Sequence, residues 1–231
     1  MYKSYDIGDS ILHELSQRLL VQMRLGQCVD ELWHQLAEWS WDAVVRSLCS
    51  DTHRKAFWIN VYNAGFLYLH KHKGIEKPVV FCRPLLCVGG YWFSLDDIEH
   101  GILRKHAIKW ALGWVRHPWP AAHIRAVVLS QLDVRIHFAL NCGARSCPPI
   151  RAYDVAQLDA QLDLAMHSFL RQHTRVDHQL RKVHTSRLLL WYHGDFGGIR
   201  KIKQLLARVC GCPELVSYRL RWDPYDWVEK G

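Results

Sequence analysis

Apolar residues recur at helical spacing over residues 11–25 (Ile11, Leu15, Leu19, Leu20, Met23), and Gly26 follows as a C-terminal cap. The same period predicts a second helix over 29–48, with Leu32, Leu36, Trp39, Val44 and Leu48 inward. Asp51 or Thr52 is placed to cap a third, which runs through Ala56, Phe57, Trp58, Ile59, Val61, Tyr62, Phe66 and Leu69 and stops near Gly74. That segment is apolar on nearly all sides, the pattern of a central, buried helix.

Beyond Gly74 the period shortens. Residues 79–81 and 85–88 are strand-like, Gly89-Gly90 signals a turn, and Tyr91-Trp92-Phe93 continues the pairing. Ser94 reads as an N-cap, with Asp96, Asp97 and Glu99 in the first turns of a helix reaching about residue 109. Residues 113–120 form a Trp- and Pro-containing loop. Residues 127–129 and 134–140 are strand candidates, and 142–150 is a turn-rich loop closed by Pro148-Pro149. Asp154 caps a helix that carries Leu158, Leu162, Ala165, Met166 and Phe169 on one face. Short basic strands over 175–185, an aromatic loop over 191–198, a helix over 199–209 and a strand over 216–220 complete the chain. Without repeats or a long linker, this order predicts one α+β domain over 1–231. N-terminal helices (1–50) precede a core (51–228), and the helical half packs on a small antiparallel sheet.

Composition adds bounds. A chain of 231 residues with 49% hydrophobic residues and 11 tryptophans has apolar surface for a large core, which excludes a disordered tail or a fibre. The formal charge is +8, but the basic residues are scattered, and Arg200, Lys201, Lys203 and Arg208 fall at the spacing of a solvated helix face. No specific nucleic-acid partner is therefore expected. No apolar run reaches the ~18 residues of a membrane helix. Residues 1–10 lack the pattern of a secretory leader, so the expectation is a cytoplasmic protein without a membrane partner. Its eight cysteines (28, 49, 82, 87, 142, 147, 210 and 212) are then expected as reduced thiols, with Cys28 and Cys49 as small core residues.

Three polar constellations stand out. In 133–150 an apolar run leads into a loop carrying His137, Asn141, Cys142, Arg145 and Cys147, with Arg135 beside His137. Cations near a thiol lower its pKa and make it nucleophilic. If 134–140 is a strand and the chain turns back at Cys142, His137 faces Cys147 at the ~5 Å of cross-strand neighbours, which favours Cys147 over Cys142 as its partner. The alternative is a packed Cys142, a loop Cys147 and a satisfied buried His137. In the second constellation, Asp96, Glu99 and His100 share a helix face as an acid/base pair, a metal half-site or capping acids. In the third, Asn60 and Asn63 lie three apart on the apolar helix. They either fasten it to another backbone segment or face a polar site, because a buried amide without partners costs ~1–3 kcal/mol. A zinc site from Cys82, Cys87, Cys142 and Cys147, or Cys210 and Cys212, lacks the tight C-x2-C knuckle.

Three of these stretches together resemble the signature blocks of the domain-of-unknown-function family 547. They are Ala56-Phe-Trp-Ile-Asn-Val-Tyr-Asn-Ala64, Ser94-Leu-Asp-Asp-Ile-Glu-His100 and Arg135-Ile-His-Phe-Ala-Leu-Asn-Cys-Gly-Ala-Arg-Ser-Cys-Pro-Pro149. Trp191-Tyr192, Asp195-Phe196-Gly197 and Tyr225-Asp-Trp227 resemble its C-terminal blocks, so the resemblance runs from about 50 to 228. It implies that Asn60, Asn63, Glu99, His100, His137, Cys142 and Cys147 belong to one shared pattern, and it implies no reaction. A distant similarity to papain-like or transglutaminase-like folds is at fold level only, since those sites place Cys before His and here His137 precedes both thiols.

The leading expectation is a thiol-dependent hydrolase or acyl/group transferase acting on a small molecule or peptide. Cys147 or Cys142 is the nucleophile and His137 its base. Glu99 or His100 orients or shuttles protons, and Asn60, Asn63, Arg135 and Arg145 serve in binding. No metal or cofactor is assigned. The alternatives are a binding or scaffold domain with a closed polar network, and a metal site built from His100, His137 and a cysteine.

Overall fold

The computed structural model describes residues 7–229, with side chains from Ile11 onward. Of the leader reading over 1–10, only the backbone of residues 7–10 falls within that range. The described chain divides into two compact units assembled from separated stretches. The first comprises the chain up to His106, Pro118–Leu132 and Ile150–Leu158. The second comprises Ala107–His117, Asp133–Pro149 and the chain from Asp159.

In the first unit, α1 (Ile7–Arg24) buries Leu15, Leu19 and Leu20 of the expected stripe together with Leu12, while Ile11 is exposed and Met23 half-buried. The single helix expected over 29–48 is two, α2 (Asp30–Glu38) and α3 (Trp41–Ser47). Trp39 leaves the helical region, and the Ser40 side chain accepts the Ala43 N–H to begin a new helix. A capping residue inside an amphipathic run restarts the helix without disturbing its period.

The buried helix α4 (Asp51–Phe66) is capped by Ser50, one residue ahead of the expected Asp51 or Thr52. Asp51 instead accepts the N–H groups of Ser130 and Gln131 and the Ser130 hydroxyl, at 2.7–2.9 Å. Every residue from Ala56 to Phe66 is buried, as the all-round apolar pattern requires. The helix continues as a π-helical stretch, Leu67–His72.

Residues 79–81 are not a strand but part of α5 (Val79–Cys82). A short apolar run fits either structure, and among the described residues no strand pairs with it. The next elements, β1 (Leu86–Val88) and β2 (Tyr91–Phe93), form an antiparallel hairpin about the expected Gly89-Gly90 turn, with Leu86 opposite Phe93. The Gly89 and Gly90 N–H groups donate to the Leu36 and Ala37 carbonyls at 3.0 Å, which hangs the turn from the end of α2.

Ser94 opens the next helix through a reciprocal box. Its hydroxyl accepts the Asp97 N–H at 3.0 Å, and the Asp97 carboxylate accepts the Ser94 N–H at 2.9 Å. The helix it starts, Asp97–Leu103, is π-helical and ends well before residue 109. Lys105 and His106 adopt positive φ and turn the chain away. No strand forms at 127–129: α6 (Ala122–Val127) ends on Val127, and residues 128–129 leave it outside any regular element.

The second unit holds α7 (Leu158–Gln172), β3 (Arg175–Asp177), β4 (Lys182–Ser186), α8 (Leu188–Trp191), α9 (Ile199–Cys210) and β5 (Arg219–Asp223). The central strand, β4, is antiparallel to β3 and parallel to β5, so this sheet is mixed. Its apolar core includes Phe138, Phe169, Leu170, Val183, Leu189, Ile202 and Leu206. Arg200, Lys201 and Arg208 are exposed on α9, as their spacing requires.

Residues 134–138 are a 3-10 turn and not a strand. The Asp133 carboxylate accepts the Arg135 N–H and caps that turn, a local bond that an unpaired strand cannot match. Cys28 and Cys49 lie at the surface and not in the core. The fold is α+β, and among the described residues no helix is long and apolar enough to cross a membrane.

Candidate functional site

In the second unit, the loop from Asn141 to Pro149 carries both thiols of the 133–150 constellation. Asn141 braces it from within: its Nδ2 donates to the Pro148 carbonyl, and its Oδ1 accepts the Gly143 N–H at 2.7 Å. Gly143 has φ +82°, a turn conformation that a side chain would strain. The Cys147 N–H closes the turn on the Ala144 carbonyl at 2.9 Å. On its outer side the loop pairs with the C-terminal segment. The Arg145 and Ser146 N–H groups donate to the Val228 and Asp226 carbonyls at 2.7 and 3.2 Å. The Asp226 N–H donates to Ser146 Oγ at 2.9 Å.

This bracing brings two thiols and a phenol together. Cys142 Sγ lies 2.6 Å from Cys147 Sγ, the Cys142 N–H donates to Cys147 Sγ at 3.2 Å, and the Tyr225 hydroxyl lies 3.1 Å from Cys147 Sγ. The Tyr225 ring packs against Trp191 and Trp227, with centroids at 4.8 and 4.7 Å, and these contacts hold it beside the thiols. The Cys142 thiol, with the Tyr225 hydroxyl and nearby backbone N–H groups, holds Cys147 well below the ordinary thiol range, at about 6, although burial pushes the other way. The reciprocal effect raises Cys142, through its bond to Cys147, its burial and the neighbouring charge. Burial and the adjacent sulfurs likewise raise Tyr225. A thiolate in a buried site is stable only where donors converge on it, and here they converge on Cys147. At 5% exposure Cys147 is not the open thiol expected of an enzyme cleft, and Cys142 is the more accessible of the two.

His137 is carried on the 3-10 turn, so the cross-strand register expected between His137 and Cys147 does not form. Its Nε2 pairs with Asp195 Oδ2 at 2.9 Å, and the two side chains are 1% and 0% exposed. Tyr192 stacks on the imidazole at 4.0 Å, and Phe196 packs at 5.6 Å. Asp195 is placed by a close approach of two backbones: the Gly194 N–H donates to the Leu112 carbonyl at 2.8 Å. A Cβ on Gly113 would stand 2.5 Å from the Asp195 N and Oδ1, so only glycine fits there.

The first unit contains the second polar cluster. Its helix is π-helical where Glu99 and His100 sit, a distortion frequent at functional sites. The Tyr62 hydroxyl donates to Glu99 Oε2 at 3.1 Å. His100 Nδ1 is 2.8 Å from the buried Arg104 guanidinium and 3.7 Å from Glu99, and its Nε2 is 3.5 Å from Asp96. An Arg donor makes Nδ1 the accepting nitrogen, which assigns the imidazole proton to Nε2, on the Asp96 side. Asn60 is a fastener: its Oδ1 accepts the Tyr153 N–H and its Nδ2 donates to the Tyr153 carbonyl, both at 2.8 Å. Asn63 is fully buried on the same helix.

Arg135 is held by Asp133, Asp159 and Asp163 at 2.7, 2.6 and 2.9 Å, and those acids raise its pKa. Three carboxylates occupy its donors, which leaves little for an anionic ligand. Arg145 is 64% exposed, with Asp226 at 3.4 Å. Among the described residues, His178, Cys212 and Glu214 bring possible metal-ligand atoms within 4.8 Å of one another. That group takes in one member of the Cys210/Cys212 pair, and neither His100 nor His137.

Four site residues carried no role in the sequence reading. Asp195 and Tyr225 lie in the C-terminal blocks, where an acid and a phenol among aromatics were visible as pattern only. Arg104 lies four residues after His100, a helical spacing that pointed to it. Tyr62 lay hidden among the apolar residues of α4.

A model of the family described as protein of unknown function, DUF547, matches residues 46–170. That stretch spans Asn60 to Cys147 and ends before Asp195 and Tyr225. No curated protein and no solved structure matches the chain.

Proposed function

The chain belongs to the DUF547 family, whose description names no activity, and from the site we propose a thiol-dependent enzyme, a hydrolase or an acyl or group transferase, with Cys147 as nucleophile. The observation that carries this reading is the convergence of the Cys142 thiol, the Cys142 N–H and the Tyr225 hydroxyl on one sulfur. Such a set stabilises the thiolate, which is the nucleophilic form. Asp195 orients His137 as Asp-His pairs do, and His137 is the proton carrier in this scheme. The substrate is a small molecule or peptide that presents an electrophilic carbon to Cys147 Sγ.

One observation favours the scaffold reading instead: His137 and Asp195 are buried against each other and against Tyr192. The two readings separate on the thiol. Thiolate absorbance is titrated in the ultraviolet, with Cys147→Ser as the blank, and iodoacetamide sites are mapped by mass spectrometry. The enzyme reading expects a Cys147 midpoint near 6 and labelling of Cys147 below the pH at which the other cysteines react. A Cys147 midpoint in the ordinary range of about 8.5 overturns it. For His137, Asp195→Asn is expected to move the pH profile of a Cys147-dependent reaction, and an unchanged profile assigns the pair to structure alone.

A further inference from the structure

Cys142 contributes more to this site than a hydrogen bond. We infer that Cys142 and Cys147 form a peroxide-reducing dithiol, in which Cys147 attacks a small hydroperoxide and Cys142 resolves the product as an intramolecular disulfide. The inference rests on the nucleophile reading above and goes beyond its carbon electrophile, giving the same sulfur a second reaction at a peroxide oxygen.

Three observations carry it. The first is contact: Sγ–Sγ is 2.6 Å, so a bond of ~2.05 Å needs only a small movement of the loop. The second is asymmetry. The Tyr225 hydroxyl is 3.1 Å from Cys147 Sγ against 3.9 Å from Cys142 Sγ, and the Cys142 N–H donates to Cys147, which makes Cys147 the attacking sulfur and leaves the proton on Cys142. A resolving thiol needs that arrangement, since it must be present beside the oxidised sulfur and unreactive before it. The third is access. Cys147 is 5% exposed under a C-terminal segment tied to its loop, so the first electrophile to reach it must be small. A hydroperoxide meets that limit, whereas a bulky acyl donor requires the segment to open.

The chemistry balances in three steps. Cys147 thiolate displaces alkoxide or hydroxide from the peroxide oxygen, forming Cys147–SOH, and the leaving anion takes a proton from solvent. Cys142 sulfur then attacks the sulfenic sulfur. An S–S bond forms, the S–O bond breaks, and hydroxide leaves with the Cys142 proton as water. Finally a small dithiol reduces the disulfide by exchange and is itself oxidised to a disulfide, restoring both thiols.

The test treats the full-length protein with one equivalent of hydrogen peroxide and digests it with trypsin without reduction. Arg145 lies between the two cysteines, so they fall in separate peptides, 136–145 and 146–151. The expected product is these two peptides linked by a disulfide, reversed by dithiothreitol, with repeated peroxide turnover while dithiothreitol is supplied. Cys142→Ser is expected to stop after one equivalent, with a dimedone-trappable sulfenic acid on Cys147. If Cys147 labels at low pH but peroxide yields no linked peptide, the resolving role is overturned and the nucleophile reading stands. If Cys147 titrates as an ordinary thiol, both are overturned. The wild-type peptide map decides the matter even if a variant fails to fold.

Discussion

Replacing Tyr225 with Phe removes one oxygen from the thiol site and leaves its surroundings in place. The ring keeps its contacts with Trp191 and Trp227, so the change is confined to the hydroxyl 3.1 Å from Cys147 Sγ. A hydrogen bond to a charged acceptor contributes about 1.5–3 kcal/mol, and one pKa unit corresponds to about 1.4 kcal/mol. Sulfur carries a diffuse charge, which places this bond at the lower end, about one unit. The Cys147 midpoint should therefore rise from about 6 toward ~7. At pH ~6.5 such a shift cuts the thiolate fraction roughly threefold, and the iodoacetamide rate at Cys147 should fall in proportion. Ultraviolet titration with Cys147→Ser as blank gives the midpoint directly, and circular dichroism checks that the variant is folded. A folded Tyr225→Phe protein with an unchanged midpoint would refute the argument that converging donors make this thiolate.

The same linkage sets a pH dependence of stability. Cys147 titrates lower in the folded chain than in the unfolded one, so its contribution is complete above the ordinary thiol value of about 8.5 and is lost as pH falls through about 6. Cys142 is shifted upward, so it opposes stability as pH rises past that ordinary value. The destabilisation caused by Cys147→Ser should thus grow between pH ~6 and ~8.5 in urea titrations, and a gap that is flat with pH contradicts it. Asn60→Ala leaves the buried N–H and C=O of Tyr153 without their partner, at ~1–3 kcal/mol each, so urea unfolding should show a loss of about 2–6 kcal/mol. A near-neutral result would show that Asn60 does not fasten the helix. Gly113→Ala forces a Cβ to within 2.5 Å of Asp195 at a backbone φ of +91°. It should lower the melting temperature and shift the His137 imidazole resonances, whereas unchanged resonances would show that Gly113 does not position the pair.

Local rules made much of this chain legible. The all-apolar run of Ala56 to Phe66 predicts a buried helix, and α4 is one. The basic stripe of α9, the Ser94 cap and the Gly89-Gly90 hairpin follow from period and turn chemistry in the same way. Each depends on residues within a few positions of one another. Where a short apolar run satisfies two periods, as at 79–81 and 134–138, the pattern alone does not choose. Among the described residues no strand pairs with the first, and the Asp133 cap turns the second. The pattern over 29–48 predicts one helix where the chain forms two, because Ser40 restarts a helix without breaking its apolar stripe.

The candidate site divides along the same line. Sequence alone singled out His137, Cys142 and Cys147, since a loop dense in thiols, cations and prolines is visible by composition. It placed His137 opposite Cys147, and only the tertiary structure revealed what each one holds. His137 pairs with Asp195, 58 positions away, and Cys147 meets Tyr225, 78 positions away. Those pairings come from closing long loops and packing Tyr192, Trp191 and Trp227, and no local period encodes them. Periodicity reports which face of an element is buried. Which donor reaches which sulfur depends on how distant elements fit, to within about an ångström, and that is a property of the folded chain.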